Sequence, residues 1–118
     1  MEDFFVIKSG ERADDGTWVF TVSVNGSHEV FKGHFPGKPV VPGVMTLMMT
    51  RKCVEQALGL GSTRIASVKD AKYVSPIVPD GVDVVISFTV DDALGVRADV
   101  RSADGREFTK IRMSLIKE

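Results

Sequence analysis

The stretch FKGHFPGKPVVPGV, residues 31–44, holds the residue types whose spacing most readily supports chemistry. Pro36, Pro39 and Pro42 lock their own backbone angles, and the interleaved glycines permit shapes or close approaches that a side chain would forbid, so the loop is stiff. His34 sits inside it. Gly43 stands where an apolar run begins, at the expected start of a helix. Bare N–H groups there carry the positive end of the helix dipole and can polarise a bound carbonyl. An imidazole beside that carbonyl could remove a neighbouring proton. A histidine that merely hydrogen-bonds its own loop is the plainer alternative, and the residues alone leave both open.

Other reactive groups are few. Cys53 is the only cysteine, which excludes an intrachain disulfide and a Cys-rich zinc site, and a lone thiol on an apolar helix face reads as packing. His28 reads as a surface histidine. No metal or redox cofactor is suggested by any spacing.

These groups need elements to hold them. Trp18, Phe20, Val22 and Val24 alternate as one face of a strand, which the Asp14-Asp15-Gly16 turn joins in a hairpin to a strand over Phe4 to Lys8. Val82, Val84, Ile86, Phe88 and Val90 alternate likewise, as do Leu94, Val96, Ala98 and Val100, and then Ile111, Met113 and Leu115. A weaker alternation covers Arg64 to Tyr73. Between the strand groups one helix is expected over about 43–58, ending at Gly59-Leu60-Gly61. Its first turns are apolar nearly all round (Val44, Met45, Leu47, Met48, Met49), so it must be enclosed. Its second half sets Cys53, Val54, Ala57 and Leu58 against Arg51, Lys52, Glu55 and Gln56. The expected architecture is α+β, a curled antiparallel sheet of five or six strands around one central helix.

A chain of 118 residues, 43% hydrophobic and 26% charged, suits one domain over 1–118 with its own core. An acidic N-terminus and the lack of an 18-residue apolar run point to a cytoplasmic protein with no membrane span. The net charge of −1 argues against nucleic-acid binding. Charge is unevenly spread: residues 32–72 carry seven basic side chains against two acids, whereas the flanking segments are net acidic. That middle is either a solvated face or a landing surface for an acidic partner.

The 31–44 motif closely resembles the signature of FabZ/FabA-type 3-hydroxyacyl-[acyl-carrier-protein] dehydratases of the hotdog superfamily. His, Phe, Pro and Gly at 34–37, Pro39, and Pro42-Gly43 fall at the family spacing. The preceding HEVF and the later AKYVSPIVPDGVDVVISF look like further family segments. The resemblance implies a hotdog fold, His34 as the catalytic histidine, and Gly43 N–H as the donor to a thioester carbonyl. It places the site in a dimer interface with an apolar tunnel for the acyl chain and an acyl carrier protein as partner; Phe35 is then expected to bind substrate, as is Met48, which either packs the helix as a gap-filler or lines that tunnel. The implied reaction removes water from a 3-hydroxyacyl thioester, giving the 2-enoyl thioester, in fatty acid or related acyl-chain biosynthesis.

One position departs from the pattern. Five residues after the glycine the family carries Glu or Asp on the helix, and here that residue is Met48. Glu55 is seven residues further on, about 10 Å along the axis at ~1.5 Å per residue, too far for a simple exchange. Asp70 and Asp80 are the other acids to consider, and Thr46 and Thr50 are poor acids. Three functions follow: a dehydratase with His34 acting alone or with an unconventional acid, an acyl thioesterase, or a non-catalytic carrier-binding or heterodimerising subunit.

Overall fold

The computed structural model describes residues 3–33 and 37–118. Strands β1 (Phe5–Arg12), β2 (Trp18–Val24), β3 (Thr63–Tyr73), β4 (Val84–Val90), β5 (Gly95–Ser102) and β6 (Glu107–Lys117) form one sheet in the order β1-β2-β4-β5-β6-β3. Every pairing is antiparallel. The helices are α1 (Val30–Gly33) and α2 (Gly43–Leu58). This is the hotdog arrangement, a six-stranded curled sheet around α2.

The two-residue periods translate directly into the core. Phe20 and Val22 of β2, Val84, Ile86 and Phe88 of β4, Val96, Ala98 and Val100 of β5, and Ile111, Met113 and Leu115 of β6 all point inward and are buried. In α2 the rows Met45, Met49, Cys53 and Thr46, Thr50, Val54, each at four-residue steps, face the sheet and are buried. The Thr50 hydroxyl donates to the Thr46 carbonyl at 3.0 Å, which satisfies it inside the apolar layer.

Two expectations need correction. Val82 lies outside β4 and is exposed, because the Asp80-Gly81 turn (Val82 N–H to Asp80 Oδ1, 3.0 Å) precedes the strand. The short α1 was not anticipated. The helix is not enclosed all round either: Val44 is 68% exposed and Leu47 and Met48 are only partly buried. The sheet edges β1 and β3 approach α2 from its two flanks and leave that side open.

The weak alternation of β3 has a local cause. Its pairing with β6 shifts register between Ile65 and Ser67 and again between Val68 and Asp70. Each irregularity interrupts the in-out period, so an edge strand of eleven residues carries no clean apolar face.

Candidate functional site

The first turn of α2 is the centre of the site. Pro42 precedes it with φ −59° and ψ 143° and supplies no side-chain cap. The Pro42 carbonyl accepts from Met45 N–H at 2.9 Å and from Thr46 N–H at 3.4 Å. Pro42 has no N–H of its own, so Gly43 and Val44 hold the remaining first-turn donors, and neither finds an acceptor among the described residues. The loop leading in is tied down by Val41 N–H, which donates to the Ile77 carbonyl at 2.8 Å, and Val41 is buried. Gly37 adopts φ +78°, a backbone shape that favours glycine. His34 and Phe35 lie outside the described residues.

Tyr73, the last residue of β3, packs against Gly43. Its hydroxyl donates to the Gly43 carbonyl at 3.1 Å. A Cβ on Gly43 would meet the Tyr73 ring carbon Cζ and the hydroxyl oxygen at 2.8 Å. Burial pushes the phenol pKa upward, so the group stays a protonated donor at neutral pH. Sequence reasoning passed over Tyr73, because nothing local to residue 73 announces a contact thirty positions away.

Met48 projects from the open side of α2 between two grooves. One, of about 750 Å³, runs toward β1 and includes Phe5, Ile7 and Leu60. The other, of about 410 Å³, runs toward β3 and includes Val44, Thr63 and Ile65. The helix methionines therefore divide: Met45 and Met49 are core, whereas Met48 lines these grooves.

The acids weighed as stand-ins are all engaged elsewhere. Glu55, expected on the polar side of α2, is buried, and its Oε2 accepts from Thr63 N–H and Thr63 Oγ1, both at 2.7 Å, and from Arg51 at 3.0 Å. Burial acts to raise this carboxyl. The two Thr63 bonds with Lys52 and Arg51 more than offset that, and hold it below the usual carboxylate range. Asp70 pairs with Arg112, and Asp80 accepts from Val82 N–H at 3.0 Å and from Arg106 at 3.2 Å. Their pKa values are lowered too, Asp70 chiefly by the Arg112 hydrogen bond and Asp80 chiefly by the Val82 amide.

His28 is no surface histidine. Its Nδ1 accepts the Val30 N–H at 3.0 Å, its Nε2 faces Asp3 Oδ1 at 3.3 Å, and its ring stands edge-on to Phe4 at 5.4 Å. It caps α1, and this use of both ring nitrogens is structural. Cys53 is fully buried and desolvation pushes its thiol up to about 12, which leaves it inert.

Among the described residues no group of three or more His, Cys, Asp or Glu is placed to hold a metal ion. No described helix is long and apolar enough to cross a membrane.

Comparison with known proteins fits this geometry. Residues 10–110 match the profile of the ApeI-like family, described as ApeI dehydratase. The 3-hydroxyacyl-[acyl-carrier-protein] dehydratase FabZ of Novosphingobium aromaticivorans is 32% identical over 76 residues, 57% of this chain and 48% of that protein. The FabZ of Escherichia coli O9:H4 is 33% identical over 85 residues, 62% of this chain and 52% of that protein. The chain thus spans about half the length of these two curated relatives. Among solved structures, the dehydratase heterocomplex ApeI:P from Xenorhabdus doucetiae superposes with a TM-score of 0.79 at 17% identity, covering 95% of this chain and 97% of that one. At that identity the likeness concerns the fold.

Proposed function

The chain belongs to the ApeI-like dehydratase family, and from that premise we propose that it dehydrates 3-hydroxyacyl thioesters presented by an acyl carrier protein. The observation that carries this reading is the uncapped first turn of α2, whose Gly43 N–H has no acceptor among the described residues and can receive a thioester carbonyl beside the grooves at Met48. Hydrogen bonding to that oxygen stabilises the enolate that forms when C2 loses its proton. His34 takes the C2 proton and returns it to the 3-hydroxyl, so the C3–O bond breaks, the C2–C3 double bond forms, and water leaves. One imidazole can serve as base and then acid in sequence. Phe35 and Met48 bind the acyl chain.

The exposed apolar residues Val44, Val68, Tyr73 and Val74 gather along α2 and the β3 edge, and such a surface calls for cover, which a second copy of the chain would provide. The exposed basic residues Lys32, Lys38, Lys52, Arg64, Lys69 and Lys72 supply charge complementary to an acidic carrier.

A second reading is favoured by one position. Met48 occupies the helix site where a carboxylate would complete the pair with His34, and Glu55, Asp70 and Asp80 are committed to other partners. A subunit of this kind would gain its acid from a different hotdog chain. The test is the formation of 2-enoyl product from a 3-hydroxyacyl-carrier thioester by the purified protein. Turnover by the protein alone, abolished in His34→Ala, supports the first reading. Binding without turnover, converted to turnover by Met48→Glu, supports the second.

A further inference from the structure

The backbone conformation does not explain why residue 43 is glycine. The glycines with positive φ are Gly16, Gly37, Gly59, Gly81 and Gly105, and Gly43 is not among them. What a side chain there would meet is Tyr73. A Cβ would lie 2.8 Å from its Cζ and Oη, closer than real Cβ atoms approach, and 3.1 Å from its Cε1, so the ring would have to move. Swinging the ring away would break the bond from the hydroxyl to the Gly43 carbonyl.

That bond acts on a particular peptide. The Gly43 carbonyl and the Val44 N–H share one rigid plane, so a donor fixed on the oxygen fixes the direction of the amide as well. It also polarises the group, because a carbonyl that accepts a hydrogen bond makes its own N–H a stronger donor. The phenol reaches this plane from the sheet and not from the loop. Tyr73 pairs with Thr109 of β6, and the next residue, Val74, donates its N–H to the Phe108 carbonyl at 2.7 Å. The ring is therefore mounted on the β3–β6 ladder and ties the first turn of α2 to it.

We propose that Tyr73 is a positioning residue for the thioester site, pinning the Gly43–Val44 peptide through its hydroxyl and sealing the flank of the first turn with its ring. The Gly43 N–H belongs to the preceding Pro42–Gly43 peptide, so the pin reaches it through the Gly43 backbone torsions, and the proposal rests on the reading of Gly43 as the carbonyl-binding residue. It makes glycine at 43 and tyrosine at 73 one unit, in which the glycine exists to admit the ring.

The experiment compares wild type, Tyr73→Phe and Tyr73→Ala in three measurements: ¹⁵N–¹H spectra, thermal unfolding, and steady-state dehydration of a 3-hydroxyacyl pantetheine thioester. The spectral probe is the corresponding 3-hydroxyacyl pantetheine amide, which keeps the carbonyl and cannot be hydrolysed as a thioester. Tyr73→Phe retains the ring and should keep the thermal midpoint near that of wild type. The Val44 amide resonance should move in the ligand-free protein, and kcat should fall about 3- to 10-fold with little change in KM, the range expected for one lost hydrogen bond. Gly43→Ala should lower the thermal midpoint in wild type and not in the Tyr73→Ala background, and an equal drop in both would refute the link.

Wild-type Val44 resonance and wild-type kcat in Tyr73→Phe would overturn the proposal, as would a lowered thermal midpoint with unchanged kcat, since that is packing alone. If wild type gives no turnover yet its Gly43 amide responds to the probe, the dehydratase reading fails by itself. The role of Tyr73 is then judged by probe affinity, which Tyr73→Phe should weaken by the same factor and which, if unchanged, refutes it. A Gly43 amide indifferent to the probe in wild type ends both.

Discussion

The two ends of α2 are built on opposite plans. At its C-terminus the polar groups are tied into a dense set of bonds, some of them more than once. Glu55 accepts from Thr63 twice and from Arg51, Arg51 also donates to the Thr63 carbonyl at 2.7 Å, and Gly59 (φ 64°) closes the helix with Leu60 N–H on the Glu55 carbonyl at 2.9 Å. At its N-terminus there is no side-chain cap, two amides lack acceptors among the described residues, and Val44 stands in the open. A buried helix end left without partners costs stability. The difference teaches where to look for chemistry: the same sixteen residues serve as anchor at one end and as a waiting donor at the other.

The largest effect that can break this contrast is catalytic. His34→Ala should lower dehydration about 10²- to 10⁴-fold while leaving thermal unfolding unchanged, as loss of a positioned acid-base group does. Unchanged turnover would remove His34 from the chemistry.

At the anchor end, Glu55→Ala strands the buried Thr63 amide and hydroxyl and removes one of the two acceptors of Arg51. Urea unfolding should register a loss of about 2–3 kcal/mol, with kcat little changed. The same carboxylate sets a pH dependence. Its folded-state pKa is depressed, so its contribution is fully present above the unfolded value of roughly 4.3 and disappears as pH falls through the lower folded value. The stability gap between wild type and Glu55→Gln should therefore be open at neutral pH and close in acid. A gap that persists unchanged in acid would mean that the carboxylate charge contributes nothing.

Gly43→Ala, which forces Cβ into the Tyr73 ring, should cost about 1–3 kcal/mol by overpacking and lower kcat as well. A variant as active as wild type would show that the first turn yields without consequence. The smallest expected effect is at Cys53. Full burial and a thiol pushed to about 12 make it unreactive, so alkylation by iodoacetamide at neutral pH should wait for unfolding. Fast labelling of the native protein would contradict the sealed core.

Much of the fold was legible in the chain because its cause is local. The alternation at Phe20 and Val22, at Ile86 and Phe88, and at Ile111 to Leu115 reports which face of a strand is buried, and the helix bounds at Gly43 and Gly59 report backbone chemistry. Legibility fails where partners are distant. The bulged β3 hides its period, Glu55 looks like a solvated helix residue until Thr63 is placed on it, and His28 looks exposed until Phe4 and Asp3 cover it.

What residue order alone determined is the order of the strands and of α2, most of the inward faces, the stiff 31–44 loop and the family resemblance it carries, all of which depend on neighbours within a few positions. Only the tertiary structure decided that the acids offered as stand-ins are already spent, that Met48 borders grooves instead of filling the core, and that a phenol from the far edge of the sheet rests on Gly43. Those are meetings of residues eight to more than forty positions apart, brought about by strand pairing and helix packing, and periodicity carries no record of them.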